Sequence, residues 1–436
     1  MLEQEVLAVA QAAKNASPAL AQATTQERNA ALTAMARALR EQSGAIVAAN
    51  AQDMDAARQA GTKESLLDRL MLDEGRVMAM ADALEDLVAL PDPLSRVFDS
   101  RTLDSGIRLS RVAVPLGVVA VVYEARPNVT ADAAGICLKS GNACVLRGGS
   151  LAARSCAAIA HVLHDAAVSA GMPAGCIGII ESTDRAAADA LMGLRGVVDV
   201  LVPRGGAGLI AHCVDCAKVP VIETGTGNCH VYVHSTADFD MARNIVVNAK
   251  CRRYGVCNAC ETLLVHRDIA ADFLPKLLPA MQEKHVRLLG DEATRAIIPV
   301  EAATEEDWRT EYLDYVLSIR VVDSLEAAIA HINRYGSHHT DCIVTRDDAA
   351  AKAFLTRVDS AGVYRNVSTR FADGFVYGFG AEVGIATGKL HARGPMGLDG
   401  LTTYKYKLLG DGQLMAEMKS GQRAYTHLVL HEDCPL

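Results

Sequence analysis

The chain has 436 residues, of which 50% are apolar and 22% are charged, and its formal net charge is −9. This length exceeds what one small core needs, so we expect two or three domains. The negative charge argues against a general nucleic-acid surface, and no apolar run is long enough to cross a bilayer. Since no secretory leader is recognisable, the 12 cysteines favour reduced thiols and a cytoplasmic location.

The first quarter of the chain is predicted to be helical. Residues 1 to about 95 carry Ala, Leu, Gln and Arg at helical spacing. Pro91 and Pro93 end this pattern, and a short polar hairpin is predicted near 100–115, with its turn at Ser105–Gly106. We expect this hairpin to belong to an oligomerisation element.

From residue 118 onward, short β-branched segments alternate with helical patterns. Up to residue 235 the strand segments are VVAVVY, ACVLR, CIGII, VDVLV, KVPVI and CHVYV. Strands that alternate with helices imply a parallel sheet covered by helices, as in nucleotide-binding folds. The alternation resumes after about residue 240 with TLLVH, YVLSIRVV, DCIVT and GVYRNV, which indicates a second α/β domain.

The sequence therefore predicts an α/β protein with a Rossmann-type cofactor domain, a second α/β domain and a small β oligomerisation element. We expect the cofactor domain to span 1–235 and the catalytic domain 236–395. The remaining residues, 396–436, are expected to form a C-terminal strand and tail. This segment contains LTTYKYKLL, whose alternation is typical of an exposed strand that pairs at a sheet edge or a subunit interface.

Two arginine–glycine turns follow predicted strands, in VLRGGS and VPRGGAG. Their residues are Arg147, Gly148, Gly149, Ser150, Arg204, Gly205 and Gly206. Glycines let backbone N–H groups approach an anion, and arginine adds positive charge. One such turn could be a plain tight turn, but two on one predicted sheet favour a dinucleotide site. Because arginine suits a 2′-phosphate and a carboxylate suits a free ribose, Arg147 favours NADP(H) over NAD(H).

The segment CRRYGVCNACET places Cys257 in a predicted loop just before a strand. Two arginines nearby, Arg252 and Arg253, would favour the thiolate, which is the form that attacks carbonyl carbon. Glu223 lies at a predicted strand end, before a glycine-rich turn and 34 residues ahead of Cys257. It is either a catalytic carboxylate or a cap for that turn.

The cysteines allow a second interpretation as metal ligands. Cys213 and Cys216 form one CxxC pair, and Cys257 and Cys260 form another. Structural zinc sites usually separate such pairs by about 15–20 residues, and the gap here is about twice that, so zinc is the less favoured reading. Apolar patterns around five other cysteines predict core positions, namely Cys137, Cys144, Cys156, Cys176 and Cys342.

Long segments of the chain, in this order, resemble the aldehyde dehydrogenase superfamily. They are VVYEARPNVTADAAGICLKSGNACVLRGGS, VPRGGAGLI, ETGTGNCHVYV, NAKCRRYGVCNACETLLVH, GVYRNVSTRFADG and GAEVGIATGKLHARGPMGLDGLTTYKY. The likeness covers nearly the whole chain and implies an aldehyde-dehydrogenase-like fold. It is to the branch of the superfamily that reduces an acyl phosphate.

The resemblance also implies roles for individual residues. Cys257 would be the nucleophile, Glu223 the acidic residue of the turn ahead of it, and Glu311 the carboxylate that holds the nicotinamide ribose. VLRGGS would hold the adenosine ribose, and VPRGGAG would lie near the pyrophosphate. The backbone N–H of Cys257 and the amides of Asn258 or Asn128 are candidates for oxyanion donors. The candidates for the substrate's phosphate and carboxylate are Arg126, Arg253 and Arg393, with Asn128 as a further substrate contact.

The function implied is NADPH-dependent reduction of L-glutamyl gamma-phosphate to L-glutamate gamma-semialdehyde and phosphate, through a cysteine thioester, in proline biosynthesis. No metal, nucleic acid or membrane is required. A homo-oligomer is expected, and the upstream glutamate kinase is a candidate partner. One alternative is a hydrolytic NAD(P)-dependent aldehyde dehydrogenase, and another is a non-catalytic protein that binds a metal or a nucleotide through its CxxC pairs.

Overall fold

The computed structural model describes residues 2–124 and 126–415. Its helices are α1 (Leu2–Gln22), α2 (Thr25–Glu41), α3 (Ser43–Gln59), α4 (Glu64–Leu70), α5 (Glu74–Ala89), α6 (Asn128–Lys139), α7 (Ala153–Ser169), α8 (Arg185–Met192), α9 (Ala207–Cys216), α10 (Phe239–Cys251), α11 (Arg267–Glu283), α12 (Glu292–Ile297), α13 (Leu325–Tyr335) and α14 (Asp348–Arg357). Its strands are β1 (Val97–Thr102), β2 (Arg108–Pro115), β3 (Val118–Tyr123), β4 (Ala143–Arg147), β5 (Ile177–Ile179), β6 (Val200–Arg204), β7 (Cys229–Val233), β8 (Cys260–His266), β9 (Arg287–Gly290), β10 (Glu301–Ala302), β11 (Val316–Val322), β12 (Thr340–Val344), β13 (Gly362–Arg365), β14 (Ile385–Ala386), β15 (Gly394–Pro395) and β16 (Thr402–Leu409).

The first of two compact units comprises the chain up to Gly205, residues 212–221, and the segment that begins at Gly397. Its central sheet has the strand order β5-β4-β3-β6, and its strands run parallel. Strands β3 and β4 are buried along their whole length, which explains why their sequences are continuous apolar runs. The predicted Rossmann-type parallel sheet is confirmed.

The helical N-terminal part is also confirmed, with a short break between α4 and α5. Helix α4 ends at Leu70, and α5 begins at Glu74. The Asp73 side chain accepts a hydrogen bond from the Arg76 N–H and so caps α5. An N-terminal cap of this kind satisfies a backbone donor that the helix itself leaves unpaired.

A separate antiparallel sheet contains the predicted hairpin. Strands β1 and β2 pair through the turn at Ser105–Gly106, where Gly106 has a φ of 79°. Strand β16 pairs with β2 over its whole length, so the hairpin and the C-terminal strand form one sheet. Large side chains on β16 are exposed, among them Tyr404, Tyr406 and Leu408. The predicted tail beyond residue 415 lies outside the described residues.

The second unit comprises residues 206–211 and 222–396. Its sheet has the strand order β10-β9-β11-β8-β7-β12-β13, with parallel pairing throughout. One hydrophobic core lies between this sheet and helices α10 and α11, and another lies between the sheet and α13 and α14. The predicted second α/β domain is therefore confirmed as a helix-covered parallel sheet.

Two sequence expectations need correction. The segment KVPVI forms no strand, since Val221 makes only an isolated bridge to Leu201. Residues 222–235, which the sequence placed in the first domain, belong to the second unit because β7 pairs with β8 and β12. The described helices include none with the length and apolarity needed to cross a bilayer.

Candidate active site

Cys257 lies in the turn between α10 and β8. It is partly exposed, whereas Asn258, Ala259 and Cys260 are buried. The Ala259 N–H donates to the Val256 carbonyl at 3.0 Å and closes the turn beneath the thiol. The turn therefore leaves the Cys257 side chain accessible, while burial keeps the thiol of Cys260 protonated by raising its pKa.

A histidine that the sequence did not single out contacts this thiol. The His339 Nε2 atom lies 3.2 Å from the Cys257 Sγ atom. His339 is almost fully buried, and burial lowers its pKa to about 4, although the Asp341 carboxylate opposes the shift. The imidazole is therefore neutral at pH 7. The Thr340 hydroxyl lies 2.9 Å from Nδ1, and when it donates to that nitrogen the ring proton is on Nε2 and faces the sulfur.

We predict that His339→Asn slows alkylation of Cys257 by iodoacetamide at pH 7 by about tenfold, because the thiolate loses a hydrogen-bond donor worth about 1.5 kcal/mol or more. Since the pKa of His339 is about 4, the histidine keeps one protonation state from pH 5.5 to 8, and wild type should show a single titration there. His338→Asn is the matched control, since the His338 ring contacts the Asp359 carbonyl instead. Equal alkylation rates for His339→Asn and wild type would contradict the pairing.

The glycine-rich turn before β7 presses against the backbone of Cys257. A Cβ atom on Gly227 would lie 1.5 Å from the Cys257 carbonyl oxygen, so only glycine fits there. The thiol of Cys229 donates to the same carbonyl at 3.2 Å, and its sulfur lies 3.6 Å from His339 Nδ1. These contacts fix the backbone position of the catalytic turn.

Glu311 and Glu223 have different surroundings in the second unit. A carboxylate oxygen of Glu311 accepts the Gly227 N–H at 2.8 Å, so this side chain supports the glycine-rich turn. Glu223 is exposed, and its backbone carbonyl accepts the Thr387 N–H at 3.3 Å. The predicted ribose contact of Glu311 and the catalytic role of Glu223 stay predictions.

Asn258 connects the nucleophile's turn to the short helical turn Thr369–Phe371. Its side-chain amide donates to the Ala372 carbonyl at 2.9 Å, and its backbone carbonyl accepts the Thr369 hydroxyl at 2.8 Å. The second N–H of the amide has no hydrogen bond to another described residue in this arrangement. Asn258 therefore has one donor left for an oxyanion.

The candidate substrate residues are distributed over both units. Arg126 and Asn128 belong to the first unit, and the Asn128 amide donates to the Asp132 carboxylate at 3.0 Å. Arg253 is an exposed residue of the second unit, just after α10. Arg393 pairs with Asp359 at 3.0 Å, and Asp359 also pairs with Lys389 at 2.6 Å. Arg393 therefore already has an acidic partner within the protein, although it shares that partner with Lys389.

The arginine–glycine turns lie at one edge of the first unit's sheet. Arg147 pairs in register with Val122, and Arg204 pairs with Tyr123, so both arginines flank the carboxyl end of β3. Open parallel sheets bind ligands at this edge, beside the strand where the order reverses. Gly205 and the following glycines are exposed, and a Cβ atom on Gly149 would lie 3.2 Å from the Glu124 backbone.

The Arg147 side chain does not face solvent, contrary to the sequence-based picture of a phosphate contact. It is buried, and Nη2 donates to the carbonyls of Thr183 and Asp184 at 3.0 and 3.1 Å. Burial lowers the pKa of Arg147, and the positive charge of Arg185 acts in the same direction. Arg185 begins α8, is exposed, and forms no ion pair with another described residue.

The cysteine pairs do not assemble a metal site in the part of the chain that is described. Cys213 and Cys216 belong to the first unit, and Cys257 and Cys260 belong to the second. Across 2–124 and 126–415, no three His, Cys, Asp or Glu residues are grouped to hold a metal ion. The five predicted core cysteines are confirmed as buried.

Comparison with known proteins adds independent findings. The model of the aldehyde dehydrogenase family matches residues 2–296. A gamma-glutamyl phosphate reductase of Moorella thermoacetica is 57% identical over 94% of this chain and 98% of its own, and that of Halothermothrix orenii is 50% identical over 95% and 99%. The crystal structure of gamma-glutamyl phosphate reductase from Thermotoga maritima superposes with a TM-score of 0.92 at 44% identity, over 94% of this chain and 99% of the other.

Proposed function

Since the chain belongs to the aldehyde dehydrogenase family and, within it, to the gamma-glutamyl phosphate reductases, we propose that it reduces L-glutamyl gamma-phosphate to L-glutamate gamma-semialdehyde with NADPH. The contact between Cys257 and His339 carries this proposal, because an activated thiol is what acyl transfer requires. The product is an intermediate of proline biosynthesis. The enzyme would be an oxidoreductase whose protein nucleophile is Cys257.

The first chemical step is an acyl transfer to sulfur. The Cys257 thiolate attacks the gamma carbonyl, the carbon–sulfur bond forms, and the carbon–oxygen bond to phosphate breaks. Phosphate leaves with the bonding electrons, and a glutamyl thioester remains on Cys257. The Nε2–H of His339, 3.2 Å from the sulfur, stabilises the thiolate before the attack and again when the semialdehyde is released.

Negative charge develops on the carbonyl oxygen during both acyl transfer and reduction. The backbone N–H of Cys257 and the remaining N–H of Asn258 are the donors we assign to it. The hydrogen bonds of Asn258 to Ala372 and Thr369 hold its amide in one orientation, so little reorganisation is needed. Asn128 stays a predicted contact on the first unit.

We place NADPH at the carboxyl edge of the first unit's parallel sheet, where the two arginine–glycine turns lie. When bound, NADPH supplies the hydride that reduces the thioester carbon. The turns Arg147–Ser150 and Arg204–Gly206 would hold the adenosine ribose and the pyrophosphate. We assign the 2′-phosphate to Arg185 rather than Arg147, because Arg185 is exposed and unpaired among the described residues while Arg147 already donates to two carbonyls.

We predict that Arg185→Ala raises the Kd for NADPH by about tenfold, since one charge-assisted contact to phosphate is worth about 1.5 kcal/mol or more. The Kd for NADH, which lacks the 2′-phosphate, should stay within about twofold. Arg195→Ala is the control, because this exposed arginine precedes β6 and so lies at the opposite end of that strand from Arg204. Fluorescence titration of both cofactors measures the effect, and an equal loss for NADPH and NADH would rule out the assignment.

Phosphate dependence tests the proposed function itself. In the reverse direction, NADPH should form from NADP and glutamate gamma-semialdehyde only when inorganic phosphate is present to accept the acyl group. A hydrolytic aldehyde dehydrogenase would need no phosphate, because water activated by Glu223 would release the free acid. Equal rates with and without phosphate would therefore replace the proposed function by the hydrolytic one.

We also propose that the enzyme is a cytoplasmic homo-oligomer that receives its substrate from a glutamate kinase. The described cysteines are all free thiols, which fits a reducing compartment. Strand β16 exposes Tyr404, Tyr406 and Leu408 on the edge of a three-stranded sheet, where a second chain could pair. Sedimentation velocity tests this part of the proposal, and a species of one chain's mass at all concentrations would refute it.

A further inference from the structure

Three arginines carry positive charge close to the nucleophile's turn. Arg252 and Arg253 follow α10 and are exposed, and Arg370 lies in the short helical turn Thr369–Phe371. Among the described residues, none of the three forms an ion pair, whereas Arg346 and Arg365 in the same unit pair with Asp238 and Asp348. Like charges that lie close together repel one another, so a bound anion would be stabilised by such a cluster.

The position of Arg370 is fixed by the residue that follows the nucleophile. Asn258 accepts a hydrogen bond from the Thr369 hydroxyl at 2.8 Å and donates one to the Ala372 carbonyl at 2.9 Å. These contacts lie on either side of Arg370 in the chain. The turn that carries Arg370 is therefore attached directly to the turn that carries Cys257.

Arg370 has a positive charge and a hydrogen-bond donor that are available to bind a ligand. Its Nε atom is buried, and no described residue accepts a hydrogen bond from it. Burial lowers the pKa of Arg370, and the charges of Arg252 and Arg253 lower it further, while the Cys257 side chain and, more weakly, the Asp373 carboxylate oppose them. The nearest acidic residue in the chain, Asp373, accepts the backbone N–H groups of Phe375 and Val376. Arg370 therefore interacts electrostatically with the catalytic thiol and with two other cations.

The chemistry of an acyl phosphate identifies the anion. Its phosphate is joined through a single oxygen to the carbon that the sulfur attacks. The alpha carboxylate of a glutamyl group lies at the far end of a five-carbon chain. In the reacting complex the sulfur lies about 3 Å from the carbonyl carbon. A cation close to the sulfur, such as Arg370, is therefore nearer to the phosphate than to the carboxylate. An arginine offers the paired donors that a phosphate accepts.

We propose that Arg370 binds the phosphate group of the substrate and stabilises it as it leaves, with Arg252 and Arg253 supplying the remaining positive field. This inference rests on the proposed function, since it assigns the leaving group of that reaction. As the carbon–oxygen bond breaks, the phosphate takes the bonding electrons and gains negative charge beside the guanidinium. In the reverse direction, the same arginine binds inorganic phosphate. A phosphate oxygen then attacks the thioester carbon and displaces the Cys257 thiolate.

Steady-state kinetics in the reverse direction tests the assignment. With NADP and glutamate gamma-semialdehyde saturating, Arg370→Gln should raise the KM for phosphate by about tenfold or more. The KM for the semialdehyde, which has no phosphate, should change by about twofold at most. Arg370→Lys keeps the charge without the paired donors and should give an intermediate KM for phosphate. Arg346→Gln is the matched control, because this exposed arginine pairs with Asp238.

A second readout does not depend on turnover. Inorganic phosphate should slow alkylation of Cys257 by iodoacetamide in wild type and in Arg346→Gln, and this protection should be lost in Arg370→Gln. A phosphate KM in Arg370→Gln equal to that of wild type would overturn the inference. A rise in the semialdehyde KM alone would also overturn it, because Arg370 would then hold the carboxylate. If wild type turns over without phosphate, the proposed function is contradicted instead. The experiment therefore separates a wrong assignment of Arg370 from a wrong proposed function.

Discussion

Replacing Cys257 by alanine is expected to lower kcat by about 10³-fold or more, because the reaction loses the nucleophile that carries the acyl group. The side chain is partly exposed, so its truncation leaves no buried cavity and the fold should be retained. NADPH binding should also be retained, since the turn Arg147–Ser150 and the residues Arg204 and Gly205 belong to the first unit. Stopped-flow or steady-state rates of NADPH oxidation measure the first effect, and fluorescence titration measures the second.

The neighbouring thiols provide the controls for this prediction. Cys251 ends α10 and is half-buried, and burial raises its pKa, so it is a protonated thiol at neutral pH. Cys251→Ala should therefore keep activity within a few-fold of wild type. Full activity in Cys257→Ala, or a loss in Cys251→Ala as large as that in Cys257→Ala, would show that the nucleophile has been misassigned.

Gly227→Ala is expected to lower kcat by about 10²-fold or more without touching any reacting group, because misplacing a catalytic atom by about 1 Å has effects of this size. The added Cβ atom would lie 1.5 Å from the Cys257 carbonyl oxygen and 2.4 Å from its Cα atom. Both atoms belong to backbone and cannot rotate away as a flexible side chain can. The nucleophile's turn, the glycine-rich turn, or both must move, and the hydrogen bond from Gly227 to Glu311 moves with them.

Gly388→Ala is the control for this substitution. Gly388 belongs to the same unit, has an ordinary backbone conformation, and has no atom within 4 Å of the added Cβ position. Its alanine variant should match wild type in kcat and in Tm. The Gly227→Ala variant should lose kcat more than it loses NADPH affinity, and an unchanged kcat would mean that the close approach does not position the thiol.

Much of the fold follows from local patterns. The predicted segments VVAVVY, ACVLR and CHVYV coincide with β3, β4 and β7, because buried parallel strands are continuous β-branched runs bounded by turns. KVPVI has a similar composition but does not form a strand, since its only strand pairing in the described part of the chain is a single bridge through Val221. The pairing of β16 with β2 depends on a contact between distant parts of the chain, which no local pattern encodes.

The residues of the candidate site also fall into two groups: those that a local sequence pattern predicts and those that depend on contacts between distant parts of the chain. Cys257 could be found because its arginine-rich loop is a local signal, and so could the glycine-rich turn before β7. His339 could not be found, because its partner is a distant cysteine and β7 must lie between β8 and β12 before the two turns meet. The orientation of the Arg147 side chain could not be predicted for a related reason. A strand-end arginine is expected to face solvent, but the carbonyls of Thr183 and Asp184 hold this one inside.

The central claim is that Cys257 carries the glutamyl group during turnover. Intact-mass spectrometry of acid-quenched enzyme, followed by peptide mapping, tests it most directly. With NADP and glutamate gamma-semialdehyde but no phosphate, the protein should gain the mass of one glutamyl group on Cys257, and added phosphate should remove it. A glutamyl group on another cysteine, or active enzyme that never carries one under these conditions, would contradict the account.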